Sequence, residues 1–184
     1  AQTGLPVTGL EATGWVASLL GGEGGASISL PELDTPDRFN GTLRPYQARG
    51  MSWMSFMERF GFGACLADDM GLGKTIQLLA LLVHERNTAP DGKVDPTLLV
   101  VPMSVIGNWM KEAQKFAPQL RVMVHHGVDR HTDAKFAEIA SNSDLILTTY
   151  ALAHRDREVI DTVTWGRIVL DEAQFIKNPA AKQS

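Results

Sequence analysis

Cysteine is nearly absent from this chain. Among 184 residues only Cys65 carries a thiol, so no internal disulfide can staple the fold, and such usage fits a reducing compartment. Cys65 stands in the apolar run 64–67, where it reads as a small buried strand residue rather than a reactive thiol. No apolar run approaches the ~20 residues that a membrane-spanning helix needs. That argues against a membrane partner and leaves the cytoplasm as the expected location. The opening Ala-Gln-Thr-Gly has no initiator methionine and no basic region leading into an apolar stretch, so no secretory signal is read and an excised segment is expected. Positive charge is not in excess either. The net charge is −4, which gives bulk attraction to nucleic acid no support and leaves any such binding to local groups.

What is present is a globular composition with an uneven layout. Hydrophobic residues make up 44% of the chain, enough for a packed core. Residues 1–42 hold the whole acidic surplus and a glycine-rich stretch at 21–26. A short helix is expected at 10–20 and extended chain at 28–36, so residues 1–42 read as the tail of an upstream domain plus a linker. From Leu43 onward the pattern becomes regular. Pro45 suits the first turn of a helix carrying Tyr46, Trp53, Met54, Met57 and Phe60 at helical spacing, and Gly61 and Gly63 end it. Strands are expected at 64–67, 97–101, 120–125, 144–148 and 165–170. Helices are expected at 75–86, from a Ser104 cap to 116, at 132–141 and at 151–161. Strands alternating with helices predict an α/β fold, a mostly parallel sheet with helices on both faces. The near-continuous apolar runs at 98–101 and 168–170 fit strands covered on both sides.

Two motifs carry the chemistry. DDMGLGKT (68–75) is expected between a strand and a helix, the context a phosphate-cradling loop requires. Asp69, Met70, Gly71, Leu72, Gly73, Lys74 and Thr75 would line a nucleotide triphosphate. The glycines let backbone amides curl around phosphate oxygens, and the following helix aims its positive end at them. Lys74 would reach the β- and γ-phosphates and the Thr75 hydroxyl would bind magnesium. The strict motif has glycine where this chain has Asp68, and a chance GxGKT in a helix-capping turn is the alternative. IVLDEAQ (168–174) places Asp171 and Glu172 at the carboxyl end of an apolar strand, where open α/β sheets bind ligands. Asp171 suits magnesium, and Glu172 suits a base that orients and deprotonates water.

Five blocks in order then resemble one family. LRPYQARGMSWM (43–54) resembles a Q motif, LADDMGLGKTIQ (66–77) motif I, LLVVPMSVIGNWMKE (98–112) motif Ia, LILTTYALAHRD (145–156) motif Ib, and IVLDEAQFIKNP (168–179) motif II with its DEAQ ending. Together they resemble the SWI/SNF-type ATPases of helicase superfamily 2, their bacterial members in particular. The resemblance runs from 43 to 179, tolerates Asp68, and identifies residues 43–184 as a first RecA-like lobe truncated after motif II. It implies an ATP- and magnesium-dependent translocase on double-stranded DNA, with Lys74, Asp171 and Glu172 catalytic. Gln47 would read the adenine edge, although on residue type alone it could be a solvated helix glutamine. Gln174 would couple ATP to DNA, or be an exposed strand-end residue. Ser104, Asn108, Thr148 and Thr149 would lie on the DNA path, where short polar groups suit phosphate oxygens. Ser104 suits a helix cap equally well, and Thr148 could simply satisfy backbone.

Other features read as structural. Trp109 falls at core spacing. His125, His126 and His131 lack a carboxylate or cysteine at ligand spacing and read as solvent or loop histidines. The triplet His154-Arg155-Asp156 lacks the rest of a kinase set and is treated as coincidence. The rival functions are a strand-separating helicase of the same superfamily and a catalytically silent nucleotide- or protein-binding module. The second lobe of the family supplies arginines worth roughly 10³–10⁵ in turnover. A first lobe alone is therefore expected to hydrolyse ATP barely, and protein partners are expected to act through flanking domains.

Overall fold

The computed structural model describes residues 32–91 and 93–176. The expected helix at 10–20, the glycine-rich stretch and the extended residues 28–30 lie outside that range. The described elements are α1 (Pro45–Arg59), α2 (Lys74–Thr88), β1 (Thr97–Val101), a 3-10 turn (Met103–Val105), α3 (Ile106–Phe116), β2 (Val122–Val124), α4 (Ala134–Ser141), β3 (Leu145–Thr149), α5 (Tyr150–Arg155), α6 (Arg157–Ile160), β4 (Arg167–Leu170) and a second 3-10 turn (Ala173–Phe175). All strand pairs are parallel, in the order β2-β3-β1-β4.

The sheet is sandwiched because its central strands are apolar on both faces. Every residue of β1 and β3 is buried. Side chains alternate across a strand, so Leu99, Val101, Leu145 and Leu147 join α1, α2 and α3 in one core. Leu98, Val100 and Ile146 join Phe136, Ala140, Ile160 and Val163 in the other. Each fully buried aliphatic side chain contributes roughly 1.5–3 kcal/mol. Phe39, on the linker side of the sequence boundary at 43, lies in the first core and stacks on Phe116 with centroids 6.0 Å apart.

Four expectations about elements need correction. Residues 64–67 form no strand: the segment 62–73 is extended chain and turn, and it pairs with none of the four strands. Both flanks of β1 are taken by β3 and β4, which leaves 64–67 no inner position in the sheet. Cys65 is accordingly exposed, not buried. The expected double coverage fails at β4, an edge strand whose alternate residues Ile168 and Leu170 are 59% and 45% exposed. Finally, Ser104 caps nothing. It sits exposed in the 3-10 turn, and α3 starts beyond it with no side-chain cap. The single helix expected at 151–161 breaks at Asp156, whose carboxylate turns inward and leaves its backbone non-helical.

Ion pairs fix the direction of the helices. Arg167, at the start of β4, bonds Glu85 near the end of α2, with Nη1 to Oε2 at 3.1 Å, and also bonds Glu58 near the end of α1. Arg86 of α2 bonds Asp144 just before β3 at 2.9 Å. The carboxyl ends of α1 and α2 therefore stand at the amino ends of the strands. α2 spans about 22 Å and runs back past the sheet, so its amino end reaches the rim where the strands finish.

Candidate active site

The phosphate loop opens α2 as the sequence predicts. Gly71 and Gly73 take φ of 83° and 79°, a left-handed region that costs a glycine little. Gly73 has a second constraint: an added Cβ would sit 2.5 Å from Gln47 Nε2. The Lys74 ammonium lies within the loop and donates to the carbonyls of Asp68 at 2.7 Å and Asp69 at 3.1 Å. Asp68, where the strict motif has glycine, accepts a 3.0 Å bond from Gln77 Nε2, and Gln77 is fully buried. A side chain at this position thus ties the loop to α2. Met70 is 87% exposed and Leu72 is also open to solvent, so what this loop offers phosphate is its backbone.

Gln47 is not a solvated glutamine. It is buried; its Oε1 accepts the Arg44 N–H at 3.0 Å and its Nε2 donates to the Leu72 carbonyl at 3.1 Å. Tyr46 donates its hydroxyl to the same carbonyl at 3.2 Å. The start of α1, capped by Gln47 with Pro45 in its first turn, therefore grips the phosphate loop directly.

Asp171 and Glu172 follow β4 at the same rim. Asp171 continues the ladder, its N–H donating to Val100 O at 2.9 Å. Its carboxylate Oδ2 accepts the Trp109 indole N–H at 2.8 Å, and its carbonyl accepts the Tyr150 hydroxyl at 2.7 Å. Glu172 adopts φ 52°, left-handed backbone that costs a residue with a Cβ energy and turns the chain sharply out of the sheet. Gln174 Nε2 donates to the Glu172 carboxylate. No group of three or more His, Cys, Asp or Glu side chains suited to a metal occurs among the described residues. One carboxylate and one hydroxyl, Asp171 and Thr75, suit magnesium, which takes few protein oxygens and completes its shell with phosphate and water.

The residues expected on the DNA path divide. Thr148 is fully buried and donates to His125 O at 3.3 Å; it satisfies backbone, which removes it from any DNA surface. Thr149 caps α5, accepting from Leu152 N at 3.3 Å, and lines a cavity of about 650 Å³ at the strand ends. Asn108 is exposed on α3 and bonds Glu112 at 3.0 Å. The cavity also carries Arg130, which the sequence did not single out, with His126, expected as a solvent or loop histidine, and Arg155, expected only as part of a coincidental triplet. Their only signal was that cations sit close to candidate phosphate contacts.

Two structural assignments also change. His125 is fully buried rather than solvent-facing, with Nε2 3.0 Å from Asp156 Oδ2. A carboxylate only accepts, so Nε2 carries the proton and Nδ1 is left buried without a partner. Burial lowers the His125 pKa and keeps the ring neutral. Asp156, the last letter of the kinase-like triplet, accepts from Arg130 Nε at 2.6 Å, and that bond lowers its carboxyl pKa to about 2. The triplet thus contributes an anchor for the loop that carries Gly127 and Arg130.

A phosphate loop and an acidic strand end on one rim of a parallel, helix-covered sheet define a nucleotide-binding α/β lobe. Residues 46–184 match the SNF2-related domain, and the chain belongs to that family. YwqA of Bacillus subtilis (strain 168), described as an ATP-dependent helicase/translocase, is 50% identical over 159 residues, which is 86% of this chain and 17% of that protein. The transcription regulatory protein SNF2 of Saccharomyces cerevisiae is 37% identical over 147 residues, 78% of this chain and 8% of its own length. The Sulfolobus solfataricus SWI2/SNF2 ATPase core in complex with dsDNA superposes with a TM-score of 0.70 at 45% identity, covering 82% of this chain and 30% of that one. The chain therefore spans a minor part of each of these relatives.

Proposed function

We propose that this chain is the nucleotide-binding lobe of an ATP-dependent translocase on double-stranded DNA. One observation carries the reading: the Lys74 loop and the Asp171-Glu172 pair stand at one rim of the sheet, with Thr149 and the Arg155 cavity beside them. Lys74 would exchange its Asp68 and Asp69 carbonyls for phosphate oxygens, joined by the loop amides and the amino end of α2. Thr75 and Asp171 would hold magnesium, which neutralises phosphate charge when bound. Glu172 orients the attacking water and takes its proton, and Gln174 holds that carboxylate. Duplex phosphates would meet Thr149, Asn108, Arg155 and His126. Support comes from the family match, the likeness to a core solved with dsDNA and the electropositive cavity.

The test uses the full-length protein. Duplex DNA should stimulate ATP hydrolysis without separating strands. Lys74→Ala and Glu172→Gln should each lower stimulated kcat by about 10²-fold or more. Arg155→Ala should weaken duplex binding alike on all sequences and reduce the salt slope by about 1. Wild-type-like turnover by Lys74→Ala would refute the catalytic assignment, and unwinding of a duplex would favour a strand-separating helicase.

A further inference from the structure

Trp109 looks like a core residue. It is 5% exposed and packs in the first core with Ala113 and Val101. An apolar side chain of similar size would fill that role. The indole N–H has another use, since it donates at 2.8 Å to Oδ2 of Asp171, 62 residues away. A second donor reaches the same residue from a different element: the Tyr150 hydroxyl bonds the Asp171 carbonyl at 2.7 Å. A carbonyl oxygen only accepts, so the Tyr150 hydroxyl is the donor in this bond.

The origins of the two donors matter. Trp109 lies on α3, which follows β1, and its chain neighbour is the exposed Asn108. Tyr150 is the first residue of α5, which follows β3, and its chain neighbour Thr149 lines the cavity at the strand ends. Each side chain that bonds Asp171 is thus adjacent in sequence to a residue placed on the proposed DNA path. α3 and α5 pack in separate clusters on opposite faces of the sheet. Their common point at this rim is Asp171.

We propose that Trp109 and Tyr150 are positioning residues that hold Asp171 from the two DNA-facing segments, so that duplex binding is transmitted to the magnesium-binding carboxylate. The inference rests on the reading that Asp171 takes the magnesium of ATP. Trp109 fixes one carboxylate oxygen and leaves the other free to bind the ion. Tyr150 fixes the backbone from which that carboxylate projects. A movement of α3 or of the start of α5 on DNA changes one of these bonds directly. Partners of this kind, one bond removed from a metal ligand, are typically worth 10–100-fold in metal affinity or activity.

The experiment compares Trp109→Phe and Tyr150→Phe in the full-length protein. Trp165→Phe is the control, because it deletes an indole N–H that donates to Ile160 O at 3.0 Å, away from this rim. Binding of a fluorescent ATP analogue is measured with magnesium and with EDTA, and duplex-stimulated hydrolysis is measured alongside thermal melting. Trp109→Phe should weaken the magnesium-dependent affinity about tenfold, leave the affinity in EDTA within about twofold, and lose a similar factor of DNA stimulation. Tyr150→Phe, which removes a single oxygen, should change both quantities in the same direction. Trp165→Phe should shift melting alone. If both Phe variants keep the wild-type ratio of the two affinities, whatever their melting temperature, Trp109 and Tyr150 only pack and the proposal is overturned. If wild-type protein gains no affinity from magnesium or no turnover from DNA, the functional reading itself fails, and the positioning role with it.

Discussion

Asp156 illustrates how one side chain sets local stability. Its carboxylate is nearly enclosed and accepts from Arg130 Nε and the His125 ring, while Arg155 adds a longer contact at 3.4 Å. The Arg130 bond lowers its folded pKa to about 2, from an ordinary 3.8. A depressed carboxyl pKa stabilises the fold above the unfolded value, and that contribution disappears as pH falls from about 4 through 2. His125 acts in the same direction at higher pH. Burial lowers its pKa, so below 6.5 the unfolded chain takes a proton that the folded ring refuses. Asp156→Asn should remove the low-pH part of this dependence. At neutral pH it should cost about 1–2 kcal/mol, discounted for the solvent-facing arginines. Chemical denaturation at pH 7 and at pH 3 checks both, and equal losses at the two pH values would refute the linkage. None of this was legible in the sequence, since Asp156 and His125 are 31 positions apart and only the packing of β2 against the break after α5 brings them together.

At the scale of elements, ion pairs hold the carboxyl ends of α1 and α2. Glu85 of α2 is largely desolvated beside Arg167, and burial outweighs the arginine's attraction, raising its pKa to about 7. A raised carboxyl pKa stabilises the fold fully below the unfolded 4.5, and the contribution is lost as pH rises through about 7. His84 lines a cavity with Glu85 and Arg167, and burial lowers its pKa, so it stays neutral through the upper part of that window. The melting temperature should fall between pH 5 and pH 8, and Glu85→Gln should flatten the slope. Arg167→Ala should cost about 3–5 kcal/mol at pH 8, where it strands a buried carboxylate, and clearly less at pH 5. Thermal scans across that range test both variants. The elements themselves were largely legible. α1 was announced by Pro45, α2 by GLGKT, and β1 and β4 by near-continuous apolar runs. The exception is 64–67: its composition suits a strand, but a strand is made by backbone pairing, and this segment pairs with none of the four strands.

For the whole molecule, the parallel sheet separates a functional rim from a structural one. Lys74, Asp171, Glu172 and Thr149 lie where strands end, and Arg167, Glu85 and Asp144 lie where they begin. The site residues in the two sequence motifs were legible because chemistry restricts residue type there; the bonds from Trp109 and Tyr150 to Asp171 were not, because core spacing says nothing about where an indole N–H points. The sheet also ends in an exposed edge. Ile168 and Leu170 project from β4 into solvent, and an uncovered apolar edge invites association. Sedimentation of the 184-residue chain should show concentration-dependent self-association that Ile168→Thr with Leu170→Thr reduces; equal association of the variant would place the contact elsewhere. The register of β4 has one more consequence, in lengths rather than energies. Leu99 pairs with Val169 and Val100 with Leu170, while the Gly166 N–H is anchored on Pro96 O, where an added Cβ would sit 3.0 Å from the Asp95 carbonyl. From Gly166 to Asp171 the chain is a ruler of fixed divisions. Adding or removing one residue within it moves Asp171 by about 3.3 Å and turns it to the opposite face. Sequences that keep this site can therefore vary in length in the turn around 161–164, but not between that anchor and the carboxylate.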